Sequence, residues 1–456
     1  MSKTIDKDNR TLFETMPVGQ ALARLAVPTV IGQLILLLYN LADTFFIGRT
    51  GNPYMVAAAS LVFPVYNICV AFANLFGVGG GSLISRLIGM HKEDDAKKVC
   101  AYSFYMAMIS AAAFSAVVWL LMNPLLTMLG ASSDTILFAS QYTFYTIVIG
   151  AVPTVLTITM GTFLRSVGCA AQAGFGTSMG CLINIALDPL FMFVILPPGN
   201  EIIGAAAATM LSNVISMCYF IYQVTKLQGR TALSISPKCG LPAMNLIGEI
   251  FAVGIPSALS MFLYDATNIV IDKLSAAHGD IDLAAIGIVL KAERIPLNTG
   301  VGICQAMMPL VAYNYASKNY KRMNDALHKA RLSGIIVALI SIVMYEVFVG
   351  DIMRAFIDEP QTVALGTQFL RVRCLAAVMM FLCFSYVFFF EGLGMGKQSF
   401  LLAVLRQLVF NIPLLLILDH CFGMYGIIWT QFIADGCTAV LSHMIYMRVK
   451  KRKSLQ

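Results

Sequence analysis

The sequence predicts an all-α polytopic membrane protein of about twelve transmembrane helices in two six-helix parallel repeats. The 456 residues are 58% hydrophobic and 12% charged, with mean hydropathy +0.78. Soluble domains carry about 25% charged residues. Apolar runs of membrane-spanning length recur along the whole chain, at 24–47, 54–85, 99–122, 137–160, 173–196 and 202–226. They continue at 246–273, 283–312, 327–349, 362–390, 399–418 and 424–447. Landmarks of the first six runs return in the last six at a nearly constant interval.

From the N-terminus, residues 1–23 are polar with no apolar core or cleavage site, so the first span is expected to serve as an uncleaved insertion signal. The net charge of +7 does not point to nucleic acid, because the basic residues sit in short segments between apolar runs. Alternate segments are basic: Lys3, Lys7, Arg10 and Arg24; Arg86, Lys92, Lys97 and Lys98; Arg165; Lys226, Arg230 and Lys238. The series continues through Lys318, Lys321 and Arg322 and through Lys397 to Arg448–Lys453, whereas the opposite segments carry only Arg49, Lys273 and Arg354. The positive-inside rule then places both termini in the cytoplasm of a cell that holds the protein in its (inner) membrane. The 11 cysteines are scattered without a CxxC pair, and they read as small apolar core residues rather than disulfides or zinc ligands.

Pro28 and Asn40 recur as Pro256 and Asn268, both 228 residues on. The turn Arg165–Gln172 matches Glu391–Gln398 at 226, and Gly204–Thr209 matches Gly426–Gln431 at 222. The expected organisation is an amino half 24–226, a cytoplasmic linker 227–245, a carboxy half 246–447 and a basic tail 448–456. Six spans per half is an even number, so both halves enter from the same side and repeat about an axis along the membrane normal. Such symmetry places a substrate path between the halves of a carrier, and a monomer is expected.

Asp43 lies inside the first apolar run, where a carboxylate costs about 2.5–3.5 kcal/mol on insertion scales and marks a functional site by default. Tyr39 stands four residues earlier, on the same helical face. The fifth run carries Asn184 and Asp188 at the same spacing, followed by Pro189. If Asp43 and Asp188 approach, one holds a proton at neutral pH or a cation neutralises both. Tyr39, Asn184 and Thr209 offer neutral oxygens, the ligand type hard cations prefer. A structural polar knot is the plainer alternative.

The carboxy half places Asp265 in its first span and Lys291, Glu293 and Arg294 in its second, with Arg371, Arg373, Arg406 and Asp435 beyond. Mutual ion pairing is the favoured reading of this set, and contact of Asp265 or Glu293 with a cationic substrate is the functional one. Met261, Phe262 and Met308 are candidate wall residues of a substrate cavity. Gly77–Ser82 lacks the Lys-Ser/Thr of a phosphate loop, and Gly392–Gly396 follows no strand. No histidine or cysteine arrangement suggests metal or bond chemistry, so an enzyme and a cofactor are not expected.

Taken together, Pro28, the run Tyr39–Gly48, Asn184-x-x-x-Asp188-Pro189, Gly204–Thr209 and the stretch Pro309–Arg322 resemble the multidrug and toxic compound extrusion (MATE) family, prokaryotic branch. The resemblance implies a V-shaped, two-lobed antiporter that exports organic cations and amphipathic drugs in exchange for protons or sodium. The family's amino-lobe cation site carries over onto Tyr39, Asp43, Asn184, Asp188 and Thr209. Any bound Na+ would fall to Asp43, Asn184 and Asp188. Some members place a second acid in the tenth helix, where this chain has Arg371 and Arg373. The rival expectation is a flippase of lipid-linked precursors or polysaccharides with related architecture, for which the basic residues of the carboxy half are the best support.

Overall fold

The computed structural model describes residues 11–454. Lys3, Lys7 and Arg10 of the expected basic N-terminus lie outside them. The first half comprises α1 (Val18–Gly48), α2 (Pro53–Gly89), α3 (Glu93–Leu120), the bent pair α4 (Ile136–Ile149 and Ala151–Ser166), α5 (Ala170–Ile195) and α6 (Glu201–Leu227). The second half comprises α7 (Met244–His278), α8 (Asp280–Ala316), α9 (Tyr320–Phe356), the bent pair α10 (Pro360–Cys374 and Ala376–Gly392), α11 (Gly396–Phe422) and α12 (Met424–Arg452). Among the described residues nine helices are long and apolar enough to cross a membrane, eleven when each bent pair counts as one span. The twelfth, α12, has 29 residues, ample length at 1.5 Å per residue, but it is interrupted by Gln431, Asp435 and His443.

The bends are 49° in α4 and 44° in α10, at corresponding places in the two halves. Three segments widen into π-helical turns: Phe144–Ile149 in α4, Phe191–Ile195 at the end of α5 and Leu405–Asn411 in α11. Prolines lie inside α1, α2, α5, α7 and α8. In a membrane such helices persist because neighbouring groups satisfy the backbone they free.

Packing repeats with the sequence. Within the halves, α1 lies along α5 as α7 lies along α11, and α2 along α4 as α8 along α10. Between the halves, α2 packs on α7 and α1 on α8, contacts that exchange when the halves are interchanged. At the α2–α7 crossing Gly79 and Gly254 each face the backbone of the opposite helix, and a Cβ on Gly79 would lie 3.1 Å from Gly254 Cα. Small residues at such a crossing let helices approach closely.

The halves seal at the end that carries the N-terminal segment and the tail. There Phe13 stacks on Tyr313 with centroids 5.0 Å apart, and Arg322 donates to the carbonyls of Phe13 at 2.6 Å and Leu12 at 3.0 Å. One buried cluster joins Leu12, Ala21 and Leu25 to Met307, Phe389 and Tyr446. Arg86 of α2 pairs with Glu249 of α7 at 2.6 Å, and the Ser82 hydroxyl donates to the Glu391 carbonyl at 2.5 Å.

Candidate functional site

Each half encloses a cavity that a helix of the other half closes. The amino-half cavity, 290 Å³, is walled by α1, α2, α4, α5 and α6 and closed by Gln305, Met308 and Pro309 of α8. The carboxy-half cavity, 670 Å³, is closed by Ser60, Phe63 and Asn67 of α2. Gln33 donates to Gln305 at 3.0 Å at the first closure, and Asn67 to Asp265 at 2.7 Å at the second.

Asn184, Asp188 and Thr209 come together beside the amino-half cavity. Asp188 is 0% exposed, Asn184 1% and Thr209 4%, so the cluster is shut away from lipid and solvent. With its amide oxygen turned toward donors, Asn184 donates to the Asp188 carboxylate at 2.9 Å and accepts from the Thr209 hydroxyl at 3.2 Å. The helical spacing of four accounts for the first bond, since it stacks the two side chains on one face. Asp43 of α1 lies within electrostatic reach of Asp188 and of Tyr39. One carboxylate oxygen of Asp43 and one of Asp188 are buried with no hydrogen-bond partner among the described residues, and neither acid forms an ion pair with any of those residues. Two acids so placed offer free oxygen ligands, and a proton or a hard cation is what would neutralise them.

Two tyrosines join this group without a signal in the sequence. Tyr142 of α4 and Tyr66 of α2 lie in electrostatic contact with Tyr39, and Tyr142 with both Asp43 and Asp188. Tyrosines are frequent in membrane helices for other reasons, so nothing in their spacing singles them out.

The carboxy-half residues separate. Asp265, Phe262 and Glu293 line the larger cavity. Met308 does not: it lines the amino-half cavity, because 15 residues of α8, about 22 Å, separate it from Glu293. Met261 accepts from Asn74 Nδ2 at 2.6 Å at the α2–α7 contact and is absent from the wall. Its neighbour Phe262 points away from it, as consecutive helical residues do.

The charged set is mostly paired. Arg373 clasps Glu293 through two bonds of 2.7 and 2.9 Å, and Arg406 clasps Asp435 through bonds of 2.6 and 3.1 Å. Gln431 adds a third bond to Asp435 at 2.7 Å, and Arg371 reaches Glu346 at 3.3 Å. Lys291 and Arg294 are exposed, Arg294 at the cavity rim. Arg165 departs from its expected place as a loop charge. It belongs to the last turn of α4 and lines the amino-half cavity.

Residues 28–190 and 256–417 each match the MatE family, so the family's unit occurs twice in the chain. The chain belongs to the MatE family. It is therefore a multi-pass membrane transporter and not an enzyme. It is 29% identical over 441 residues to the multidrug export protein MepA of Staphylococcus haemolyticus, covering 96% of each chain. It is 28% identical over the same length to MepA of Staphylococcus aureus strain MRSA252. Among solved structures, a MATE in complex with MaL6 superposes with TM-score 0.92 at 24% identity, covering 98% of this chain and 99% of that one. An outward-facing multidrug resistance MATE transporter of the MOP superfamily gives TM-score 0.92 at 24% identity over 98% of both chains. These structures share the fold of this MATE transporter.

Proposed function

We propose that this transporter is a secondary multidrug antiporter that exports organic cations and other amphipathic drugs in exchange for inward H+ or Na+. The observation that carries the reading is the Asp43–Asp188 pair, two intramembrane acids with buried, unpartnered oxygens beside a cavity. Membership of the MatE family and likeness to multidrug export proteins along 96% of the chain support the substrate class. Tyr39, Asn184 and Thr209 would orient the acids and supply neutral oxygens. Taking up the ion would alter how α1 and α5, each interrupted by proline, meet. Export follows only if the drug binds the two access states with different affinity.

The working arrangement is two lobes, 24–226 and 246–447, joined by a cytoplasmic linker, with both termini cytoplasmic and a single chain as the unit. Asp265, Phe262 and Glu293 would contact substrate in the carboxy-half cavity. Flipping of a lipid-linked anion is the weaker reading, because Arg373 and Arg406 already hold carboxylates. Asp43→Asn and Asp188→Asn in a dye-efflux assay, with expression confirmed, test the proposal. Loss of efflux is expected in both, and wild-type efflux from both would sink the coupling role. Efflux from reconstituted vesicles under imposed proton or sodium gradients identifies the ion.

A further inference from the structure

The second segment of α10, Ala376–Gly392, packs against both α9 and α12, and at the sealed end side chains of those two helices meet across it. The Tyr446 hydroxyl of α12 donates to Asn324 Oδ1 of α9 at 3.0 Å. Arg331, two turns along α9 from Asn324, shares its face. The Arg331 guanidinium lies 3.8 Å from the Tyr386 ring centroid and 5.4 Å from that of Tyr446, and its Nε donates to Ser385 at 3.2 Å.

Helical spacing puts a basic rim around this bridge. Lys321 and His328 precede Asn324 and Arg331 by three residues, so they flank the groove on α9. His443 and Lys450 stand three before and four after Tyr446 on α12. α9 starts at the sealed end and α12 finishes there, so Lys321 and Lys450 share an outer level. His328 and His443 share an inner one, about 10 Å deeper. Lys321, His328 and His443 are exposed, and Lys450 is half-buried. The Tyr386 hydroxyl bonds His443 Nδ1 at 2.6 Å, leaving Nε2 for another group. Among the described residues no ion pair involves Lys321, Arg331 or Lys450. Between Tyr320 and Val343 the one acid is Asp325, which lies within electrostatic reach of Arg322. Deeper than the histidines the flanks turn apolar, with Leu332 and Leu339 exposed on α9 and Val440 on α12.

Topology alone does not supply this rim. The positive-inside rule acts on both halves alike, and their helix ends lie on one side: Gly89, just before α3, packs against Tyr313, just before α9. Yet the repeat intervals of 228 and 222 put Glu93, Cys100, Ile221 and Gln228 at the equivalent positions of the amino half. None of them is basic.

We propose that the groove between α9 and α12 binds an anionic phospholipid from the leaflet on the sealed side. The phosphate lies between Lys321 and Lys450, and the ester carbonyls accept from His328 and His443. The acyl chains run over Leu332, Leu339 and Val440. The unpaired charge of Arg331 behind the groove adds to the pull on an anion, and an intramembrane arginine without a partner is costly until one arrives. Each lysine near an anionic lipid surface is worth about fivefold in binding. The inference needs only a membrane-spanning chain, whatever that chain carries.

The full chain, with Leu332→Trp as reporter, is reconstituted in vesicles of phosphatidylcholine and phosphatidylglycerol in which one lipid or the other has brominated acyl chains. Bromine quenches indole fluorescence only at contact, so the quenching ratio gives the groove's relative affinity for the two lipids. The background from Trp119 and Trp429 is measured in the chain without the reporter. Phosphatidylglycerol is expected to be favoured roughly tenfold or more. Adding Lys321→Gln and Lys450→Gln should bring the preference below about twofold. Ile109→Trp, a lipid-facing reporter on α3 of the amino half, should stay within the same limit. Equal quenching by both lipids at Leu332→Trp overturns the proposal, as does a preference that survives loss of both lysines or recurs at Ile109→Trp. Quenching by neither lipid shows that protein covers the groove, and overturns it too. If Leu332→Trp does not fold, Leu339→Trp reads the same acyl chains.

Discussion

In the first half Asp43 and Asp188 lie in the bundle with oxygens that no described residue satisfies, whereas in the second half Glu293 and Asp435 are each clasped by an arginine through two hydrogen bonds. The halves share helix order, bends and a cavity closed from across the interface, so architecture does not separate them. Pairing does. A carboxylate already held by an arginine has little left to offer a travelling ion, and prising it loose costs the desolvation of both charges. A carboxylate without a partner is available to an ion and is costly until one arrives. Charge in the first half is therefore expected to govern transport, and charge in the second half to govern stability.

The sharpest way to break this contrast is to neutralise one acid in each half. Asp188→Asn should lower dye efflux tenfold or more, on the order of the loss of a coupling group, while leaving the melting temperature near wild type because no ion pair is lost. Asp265→Asn, which removes a proposed substrate contact but no coupling acid and whose side chain already meets Asn67, should lower efflux less than Asp188→Asn does. A reversed ranking would move ion coupling into the second half. The second largest effect is expected at Arg406. Arg406→Met strands Asp435, which is 0% exposed, and should destabilise the protein by about 3–5 kcal/mol in detergent unfolding. Arg406→Met combined with Asp435→Leu should recover most of that loss. Arg86→Ala comes next: removing its bond to Glu249 should speed accessibility of a cysteine probe at the sealed end, a change absent if the seal relies on apolar packing alone. Smallest is Asn67→Ala, which deletes one hydrogen bond to a charged group between α2 and α7 and should cost about 1.5–3 kcal/mol.

The spans were legible because membrane helices announce themselves by length and apolarity, and the repeat because prolines and asparagines kept their spacing. Asn184 and Asp188 could be placed on one face from their spacing of four. Partners across helices could not: Arg373 meets Glu293 and Arg406 meets Asp435 through tertiary packing that no short-range period encodes. Arg165 was misread because its place beside a turn is where orienting charges usually sit. The structure turns it inward over Gly161. Met308 was misplaced because α8 runs past both cavities, and a residue's membership depends on its height along that helix. α12 falls short on apolarity for the reason that makes it useful: Asp435 is spent on holding Arg406 and Gln431 on holding Asp435.

The π-helical turn Phe191–Ile195 follows directly on Asp188 and Pro189, and a second, Leu405–Asn411, contains Arg406. A π turn holds one more residue than the α turn it interrupts, so each marks a point where the chain carries a spare residue inside a span. Such a point can absorb a single-residue deletion by reverting to ordinary helix, without unwinding its neighbours. Beyond it the remaining residues would keep their phase, because the shorter α turn closes nearly the same rotation with one residue fewer. Removing one residue from Phe191–Ile195 should therefore leave Asn184 and Asp188 in phase with α1 and the loop into α6 close to its place. Among the three π turns, these two are where length variation can accumulate beside a charged site.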